Sequence, residues 1–186
     1  MNTLFEVIWI FWLASEILLN RLFRSKAKAS KELDKNSLRI IWLTIILSVT
    51  TGVFIATMTN YAIVQTNLLR YTGMVIILAG IVIRFTAIKT LGKFFTVDLA
   101  FRDDHKLINT GLYKYVRHPS YSGSLLSFFG FGLSLNNWIC LLVVVVPVLI
   151  SFLYRINLEE KLLLEQLGEA YANYKKTTKR LIPLIY

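Results

Sequence analysis

The sequence predicts an all-α integral membrane protein with about five transmembrane helices, of which the last two form a helical hairpin. Hydrophobic residues make up 55% of the 186-residue chain and charged residues 17%, whereas soluble domains carry about 25% charged residues. The apolar residues also fall in long runs, and a spanning helix needs ~20 of them. These runs do not alternate with a period of two, which excludes the strands of a membrane barrel.

The individual helices follow from the apolar runs in chain order. The first three runs are each long enough for one span. The fourth is divided by Asn136 and Asn137 into two shorter arms, which predicts a tight hairpin. The four runs cover residues 4–22, 40–58, 69–88 and 121–153.

Charged residues within or beside these runs are few. Glu16 lies in the inner part of the first helix, and Arg84 lies near the inner end of the third. Long charged side chains near helix ends extend toward the membrane surface. We therefore expect both side chains to snorkel toward the interface and not to pair within the helices.

The distribution of basic residues predicts the orientation. Lysine and arginine concentrate in residues 20–39, in residues 89–120 and in the C-terminal tail. The positive-inside rule places these segments in the cytoplasm, facing the inner or plasma membrane surface, and places the N-terminus outside. The net charge of +10 then reflects contact with anionic lipid, and no nucleic-acid partner is predicted. Because no small-residue cleavage site follows the first helix, we expect it to be a retained anchor.

The chain divides naturally into two parts. Residues 1–88 are predicted to hold three N-terminal transmembrane helices. Residues 89–186 hold a cytosolic connector, the helical hairpin and a cytosolic C-terminal helix. Residues 155–174 keep helical spacing, so we expect this last helix to continue the fifth span into the cytosol.

Residues 105–123 carry most of the side chains that could bind a ligand or take part in catalysis, including both histidines of the chain, His105 and His118. Two histidines without a nearby cysteine do not make a metal site at this spacing, and none is predicted. The single cysteine, Cys140, lies in the apolar hairpin and is interpreted as packing. Pro119 is suited to the first turn of the fourth helix, whose positive dipole end would face the site.

A second group follows at the end of the fifth span. Arg155 and Glu159 are four residues apart, so they share a helix face. If the hairpin arms are antiparallel, this face meets the start of the fourth helix. The pair is equally consistent with a simple ion pair and with a functional site, because a carboxylate near the membrane interface is costly unless it has a partner.

The motifs, taken in this order, resemble those of the isoprenylcysteine carboxyl methyltransferase family, and of its prokaryotic members in particular. This family is related to the phospholipid methyltransferases. The resemblance covers about residues 90–183. The pattern is His-x-Leu, Gly-x-Tyr, Arg-His-Pro-x-Tyr-x-Gly, then Arg and Glu-Glu after the hairpin, Leu-Gly-x-x-Tyr-x-x-Tyr, and a closing Arg-x-x-Pro. The matching residues are His105, Leu107, Gly111, Tyr113, Arg117 to Tyr121, Gly123, Arg155, Glu159, Glu160, Gly168, Tyr171, Tyr174, Arg180 and Pro183.

The resemblance implies a C-terminal half that binds S-adenosyl-L-methionine on the cytosolic side. Arg155 matches a substrate-side arginine, and Arg155 and Glu159 are the implied catalytic pair. Asp98 stands where eukaryotic members tend to have a glutamine near the cofactor. The implied cofactor contacts are His105, Lys106, Leu107, Ile108, Tyr113, His118, Pro119, Ser120, Tyr121 and Glu159.

These implied roles agree with the chemistry of the side chains. The faces of Tyr113 and Tyr121 attract a sulfonium cation. Glu159 can bind the amino group of the cofactor, and the N–H groups near Pro119 can bind its carboxylate. Arg155 can fork onto a carboxylate acceptor.

The predicted activity is therefore methyl transfer to a lipophilic or lipidated acceptor that enters from the membrane lipid, in the first place carboxyl O-methylation of an isoprenylcysteine-like substrate. One alternative is a phospholipid N-methyltransferase, in which Arg155 would be free for phosphate. Another is an NADPH-dependent membrane reductase, although the sequence has no dinucleotide glycine fingerprint. A transporter or scaffold is disfavoured because there is no inverted repeat. The sequence predicts neither the oligomeric state nor the identity of the acceptor.

Overall fold

The computed structural model describes residues 3–23, 31–97, 107–183 and 185–186, with the backbone alone over residues 31–35. Within these ranges the chain is nearly all helical, and extended pairing is limited to two isolated bridges. Two short 3₁₀ helices, Gly92–Phe94 and Gly111–Lys114, follow the third helix. The α-helices of the described ranges are α1 (Thr3–Leu22), α2 (Lys31–Met58), α3 (Leu68–Leu91), α4 (Pro119–Ser134), α5 (Trp138–Leu167) and α6 (Glu169–Thr177).

Four of these helices, α1, α2, α3 and α5, are long and apolar enough to cross a membrane by length and composition. This confirms the all-α membrane architecture. Helix α4 has 16 residues, which at 1.5 Å per residue is about 24 Å. It forms the shorter arm of the predicted hairpin, and the number of five spanning helices stays a prediction.

Helices α3 and α4 pack backbone to backbone through glycines. A Cβ atom built on Gly80 would lie 2.5 Å from the carbonyl oxygen of Gly123, and one built on Gly130 would lie 2.6 Å from that of Gly73. Small residues allow such close approach between membrane helices. The contact fixes the start of α4 against the C-terminal part of α3, where Arg84 lies.

The hairpin tip is fixed by its two asparagines, as the sequence predicts. The Asn137 side chain caps α5 by accepting from the N–H groups of Ile139 and Cys140 at 3.0 and 3.2 Å, which satisfies two of the free donors of the helix end. The Asn136 side chain pairs with both backbone groups of Val64, at 3.2 and 2.8 Å. The tip is thereby joined to the link between α2 and α3.

The first helix carries no recognisable motif, yet it packs closely on α4. Trp12 is fully buried and meets the ring of Phe128 edge to face at 4.8 Å. The indole N–H of Trp9 donates to the hydroxyl of Ser134 at 3.1 Å. Aromatic pairs of this geometry stabilise a core beyond their buried area, so α1 is part of the helical bundle.

The C-terminal part differs from the prediction in one respect. Helix α5 continues beyond its apolar run to Leu167, but the predicted continuous helix over residues 155–174 is broken at Gly168, which has φ +54°. Glycine takes this conformation without the steric cost other residues have. Helix α6 follows, and the tail segment, residues 178–181, then pairs with residues 115–118 around the bridge between Val116 and Lys179.

Candidate active site

A large cavity lies where the C-terminal parts of α1, α3 and α5 meet the N-terminal parts of α2 and α4. It encloses about 1360 Å³ of empty space, counting its open mouth, and all six α-helices contribute to its lining. Cavities that bind small molecules have this character, with mostly apolar walls and a few convergent polar groups. The polar groups here come chiefly from α1, α3, the start of α4 and the end of α5.

The structure brings most of the predicted site residues to this cavity. Pro119 is buried at the first position of α4 and is not part of the lining. His105, Lys106 and Asp98 lie outside the described residues. The predicted residues that line the cavity are Leu107, Ile108, Tyr113, His118, Ser120, Tyr121, Arg155 and Glu159.

Arg155 is held firmly although it is charged and almost fully buried, with 2% of its surface exposed. Its Nε donates to the hydroxyl of Tyr121 at 3.1 Å. Its terminal nitrogens donate to the hydroxyl of Ser37 on α2 and to the carbonyl of Val97. Because three separate elements hold the guanidinium, it is preorganised at the cavity wall.

The neighbouring carboxylates of α5 face different surroundings. Glu159 lines the cavity, with 28% of its side chain exposed, and its carboxylate lies 3.7 Å from Nδ1 of His118. Glu160 is 4% exposed and does not line the cavity. Its contacts are Arg117 at 2.8 Å, Arg180 at 2.7 Å, Lys175 at 3.3 Å and His118 Nε2 at 3.4 Å. Successive helical residues point about 100° apart, and here that difference directs Glu159 to the cavity and Glu160 to the cationic side chains.

Three buried tyrosines line the same end of the cavity. Burial raises the pKa of Tyr113, and the Glu159 carboxylate raises it further. Burial likewise raises the pKa of Tyr171, and it raises the pKa of Tyr174 to about 12. All three are therefore neutral phenols at physiological pH, and Tyr174 donates to the carbonyl of Tyr113 at 2.6 Å.

Glu16 and Arg84 form a partly buried ion pair at the cavity wall, with 3.0 Å between the carboxylate and the guanidinium. The predicted snorkelling of these two side chains is wrong. Their side chains are 11% and 16% exposed, and Arg84 also donates to Ser120 of α4. Because α3 and α4 pack so closely, Arg84 finds partners inside the bundle, where a charge needs them.

Sequence reasoning missed the contribution of α2 to the site. Four residues of α2 line the cavity, and they share one face of the helix because their spacing is i, i+3, i+4 and i+7. That spacing is visible in the sequence but not distinctive, because the lipid-facing positions of α2 are apolar too. The α2 residues that line the cavity are Leu38, Ile41, Trp42 and Ile45.

The model of one protein family, described as the isoprenylcysteine carboxyl methyltransferase family, matches residues 71–165. The chain belongs to this family. The matched range runs from α3 to the end of α5 and includes Arg84, Tyr121, Arg155 and Glu159. The resemblance drawn from the sequence motifs is thus confirmed, and it extends further toward the N-terminus than those motifs do.

Curated relatives of this family are similar to the chain over much of its length. A probable protein-S-isoprenylcysteine O-methyltransferase of Oryza sativa subsp. indica is 34% identical over 117 residues, which are 62% of this chain and 61% of the rice protein. Protein-S-isoprenylcysteine O-methyltransferase B of Arabidopsis thaliana is 35% identical over 115 residues, 61% of this chain and 58% of that protein. The chain thus spans about three fifths of these plant relatives.

A solved structure is similar over nearly the whole chain. It is the eukaryotic intramembrane Ras methyltransferase, isoprenylcysteine carboxyl methyltransferase, without a monobody. The TM-score is 0.65 at 25% identity, and the match covers 97% of this chain and 65% of that one. The helical membrane fold is therefore shared, including the N-terminal helices that carry no sequence motif.

Proposed function

We propose that this protein is an S-adenosyl-L-methionine-dependent methyltransferase that methylates the carboxylate of an isoprenylcysteine-like acceptor. The observation that carries the proposal is the composition of one cavity. It combines the fixed guanidinium of Arg155, the carboxylate of Glu159, neutral tyrosines and the apolar wall of α2. The names of the curated relatives support the same acceptor class.

The residues at the inner end of α5 fit the cofactor by their chemistry. Glu159 offers a carboxylate for the amino group, and the free N–H groups at the start of α4 suit a carboxylate. The rings of Tyr113 and Tyr121 suit a sulfonium. The hydroxyl of Tyr171 is buried at the same wall and has no hydrogen-bond partner among the described residues, so the wall offers a polar atom to a ligand. When bound, S-adenosyl-L-methionine supplies an electrophilic methyl group.

Arg155 is suited to hold the acceptor. A guanidinium forks onto a carboxylate and fixes its orientation, and the α2 wall gives the isoprenyl chain an apolar surface. With the cofactor held by Glu159 and the tyrosines, Arg155 would orient a carboxylate oxygen toward the methyl group that the cofactor would supply, and the cofactor sulfur would be the leaving group and keep the electron pair. An ionised carboxylate needs no general base, so alignment and exclusion of water are the main requirements.

The proposal extends to the arrangement in the membrane. The basic segments at residues 89–97 and 107–120 and on α6 favour a site that faces the cytoplasm of the inner or plasma membrane. The acceptor would enter laterally from the lipid. Residues 89–186 would be the methyltransferase core, with α1 and α2 completing the cavity.

The first test is cofactor binding to the purified protein by calorimetry. We expect saturable binding of S-adenosyl-L-methionine that Glu159→Ala weakens at least about tenfold, because a charge-assisted hydrogen bond is lost. Glu165→Ala removes an exposed carboxylate of the same helix and should bind like the wild type. Folded wild-type protein without any binding would overturn the proposal.

The second test identifies the acceptor. Incubation with methyl-labelled cofactor and an isoprenylated cysteine should give a product whose label is released by base, as a methyl ester requires. Arg155→Lys should raise the KM for this acceptor, since lysine cannot bind a carboxylate in a bidentate manner. A base-stable label on a phospholipid head group would instead indicate N-methylation. A thermal shift with NADPH but not with S-adenosyl-L-methionine would indicate a reductase.

A further inference from the structure

A second cavity, which we call the tail pocket, lies between the end of α6, the tail segment and the residues that precede α4. It encloses about 620 Å³ of empty space, counting its open mouth. Four cationic side chains line it, and no acidic side chain of the described residues does so. Arg117 contributes to the walls of both this pocket and the large cavity. The four cations are Arg117, Lys175, Lys179 and Arg180.

The cations of the tail pocket are only partly neutralised. The carboxylate of Glu160 meets three of them, but Glu160 lines neither cavity. The fourth, Lys179, is exposed, and its side chain has no ion pair within the described part of the chain. One carboxylate cannot neutralise four cations, so the pocket attracts an anion.

The pocket is held in shape by contacts of the chain itself. The guanidinium of Arg180 donates to the hydroxyl of Tyr186 at 2.9 Å and lies 5.6 Å from the centre of its ring. The carbonyl of Tyr186 accepts from the N–H groups of Leu181 and Ile182 at 2.7 and 2.6 Å. Arg117 donates to two backbone carbonyls around the end of α6. Because both guanidinium groups are already positioned, an anion binds with a smaller loss of conformational entropy.

Exposed apolar side chains stand beside these cations. Ile182 and Ile185, which follow the tail segment, are 47% and 74% exposed, and Ile185 lines the pocket. Basic and apolar residues occur side by side in segments that lie in a membrane interface, where cations meet the phosphates and apolar groups enter the acyl boundary. A soluble anion would use the cations and leave both isoleucines exposed, whereas a phospholipid uses both kinds of side chain.

We propose that the tail pocket binds the phosphate of an anionic phospholipid, whose acyl chains lie against Ile182 and Ile185. A guanidinium pairs with phosphate oxygens in a bidentate manner, and a lysine adds a point charge. The site is one defined pocket, and it differs in this from the general attraction between a basic surface and an anionic leaflet. It goes beyond the proposed methyl transfer and requires only that the protein lies in a membrane.

The test measures lipid binding to the purified full chain in a nonionic detergent, with native mass spectrometry to count the bound lipids. The two probes are dioleoyl phosphatidylglycerol, which is anionic, and dioleoyl phosphatidylcholine, which has no net charge. Because their acyl chains are identical, the difference in affinity isolates the charge of the head group. We expect saturable binding of one phosphatidylglycerol, about tenfold or more tighter than phosphatidylcholine.

Three variants locate the site. Lys179→Gln should weaken the binding of phosphatidylglycerol about fivefold, the usual contribution of one cation near a membrane surface. Its matched control is Lys176→Gln, which changes an exposed lysine of α6 that does not line the pocket and should bind like the wild type. Ile185→Ser should weaken both lipids by a similar factor, because it removes an apolar contact and no charge.

Equal affinity of the wild type for the two lipids would overturn the inference. Equal losses in Lys179→Gln and Lys176→Gln would also overturn it, because the attraction would then belong to the whole basic surface. Displacement of phosphatidylglycerol by an equal concentration of inorganic phosphate would assign the pocket to a soluble anion and not to a lipid. A loss of phosphatidylglycerol binding in Lys179→Gln, with wild-type binding in Lys176→Gln, supports the lipid site.

Discussion

The two sides of α5 at Glu159 and Glu160 present the clearest contrast in the molecule. Glu159 faces the cavity, and its carboxylate is available to a ligand. Glu160 faces the tail segment and is surrounded by cationic side chains. Two residues of the same type, adjacent in sequence, are thus directed by the 100° turn of a helix to a cavity on one side and to a network of ion pairs on the other.

The contrast is also one of energetics. On the Glu160 side, one buried carboxylate compensates Arg117, Arg180 and Lys175 at once, whose side chains are 10%, 22% and 36% exposed. A buried ion network contributes little net stability when complete, but removal of one member leaves the others uncompensated. The described ionic contact of Glu159 is the longer one to His118, at 3.7 Å, so substitutions on the two sides should separate stability from the proposed binding.

The largest effect is expected for Glu160→Ala. Loss of this carboxylate leaves the buried guanidinium of Arg117 without its acidic partner and releases the tail segment from α5. We expect the free energy of unfolding to fall by about 3–5 kcal/mol, measured by chemical unfolding in detergent. Glu160→Gln keeps two hydrogen-bonding atoms and should cost less. A loss below about 1 kcal/mol would show that the network does not hold the tail.

Arg180→Ala should have the next largest effect. It removes the 2.7 Å contact to Glu160, but Arg117 remains to compensate the carboxylate, and the Arg180 side chain is 22% exposed. We expect a loss of about 1–2 kcal/mol, since hydrogen bonds to charged groups contribute more than neutral ones. A double-mutant cycle with Glu160→Ala checks this, because the two losses should be far from additive.

Tyr174→Phe should cost about 1 kcal/mol, the usual worth of one hydrogen bond, because the hydroxyl donates to the carbonyl of Tyr113. It should also change the alkaline stability. Burial raises the pKa of Tyr174 from 10.0 to about 12, so the unfolded chain releases this proton first. Stability from this group is complete below pH 10 and is lost as the pH rises toward 12.

Thermal unfolding between pH 9 and 12 (roughly the window of tyrosine ionisation) checks this expectation. The wild type should lose stability across the window, and Tyr174→Phe should lose less, because one ionising phenol is gone. Tyr113 and Tyr171 retain the same sign of dependence, so a residual slope remains. An identical slope in the variant would contradict the assigned burial of Tyr174.

The fold was predictable where a local signal decides it. The long apolar runs define the helices, Asn136 and Asn137 mark the hairpin tip, and Pro119 marks the first turn of α4. The break at Gly168 was missed, because a glycine in a helical pattern does not reveal which φ it takes. The helix–helix contacts were not predictable, since lipid-facing and buried positions are equally apolar in a membrane protein.

The sequence predicted part of the cavity wall, namely the part formed by the ordered polar motifs of α4 and α5. Arg155, Glu159 and Tyr121 stand out against apolar surroundings, and the structure brings them together. The pairing of Glu16 with Arg84 was not predictable, because it depends on the packing of α1 against α3 and α4. Long-range contacts between helices leave no periodic signal in a single sequence.

The smallest effect on stability is expected for Glu159→Ala. This variant tests directly whether the Glu159 and Glu160 sides of α5 differ in their contribution to stability. The side chain is 28% exposed, and its described ionic contact is a 3.7 Å approach to His118. We therefore expect the free energy of unfolding to change by less than about 0.5 kcal/mol, while the proposed binding of S-adenosyl-L-methionine weakens at least about tenfold. If Glu159→Ala instead unfolds the protein as Glu160→Ala does, both carboxylates belong to one structural network and the cavity side of α5 has no separate binding role.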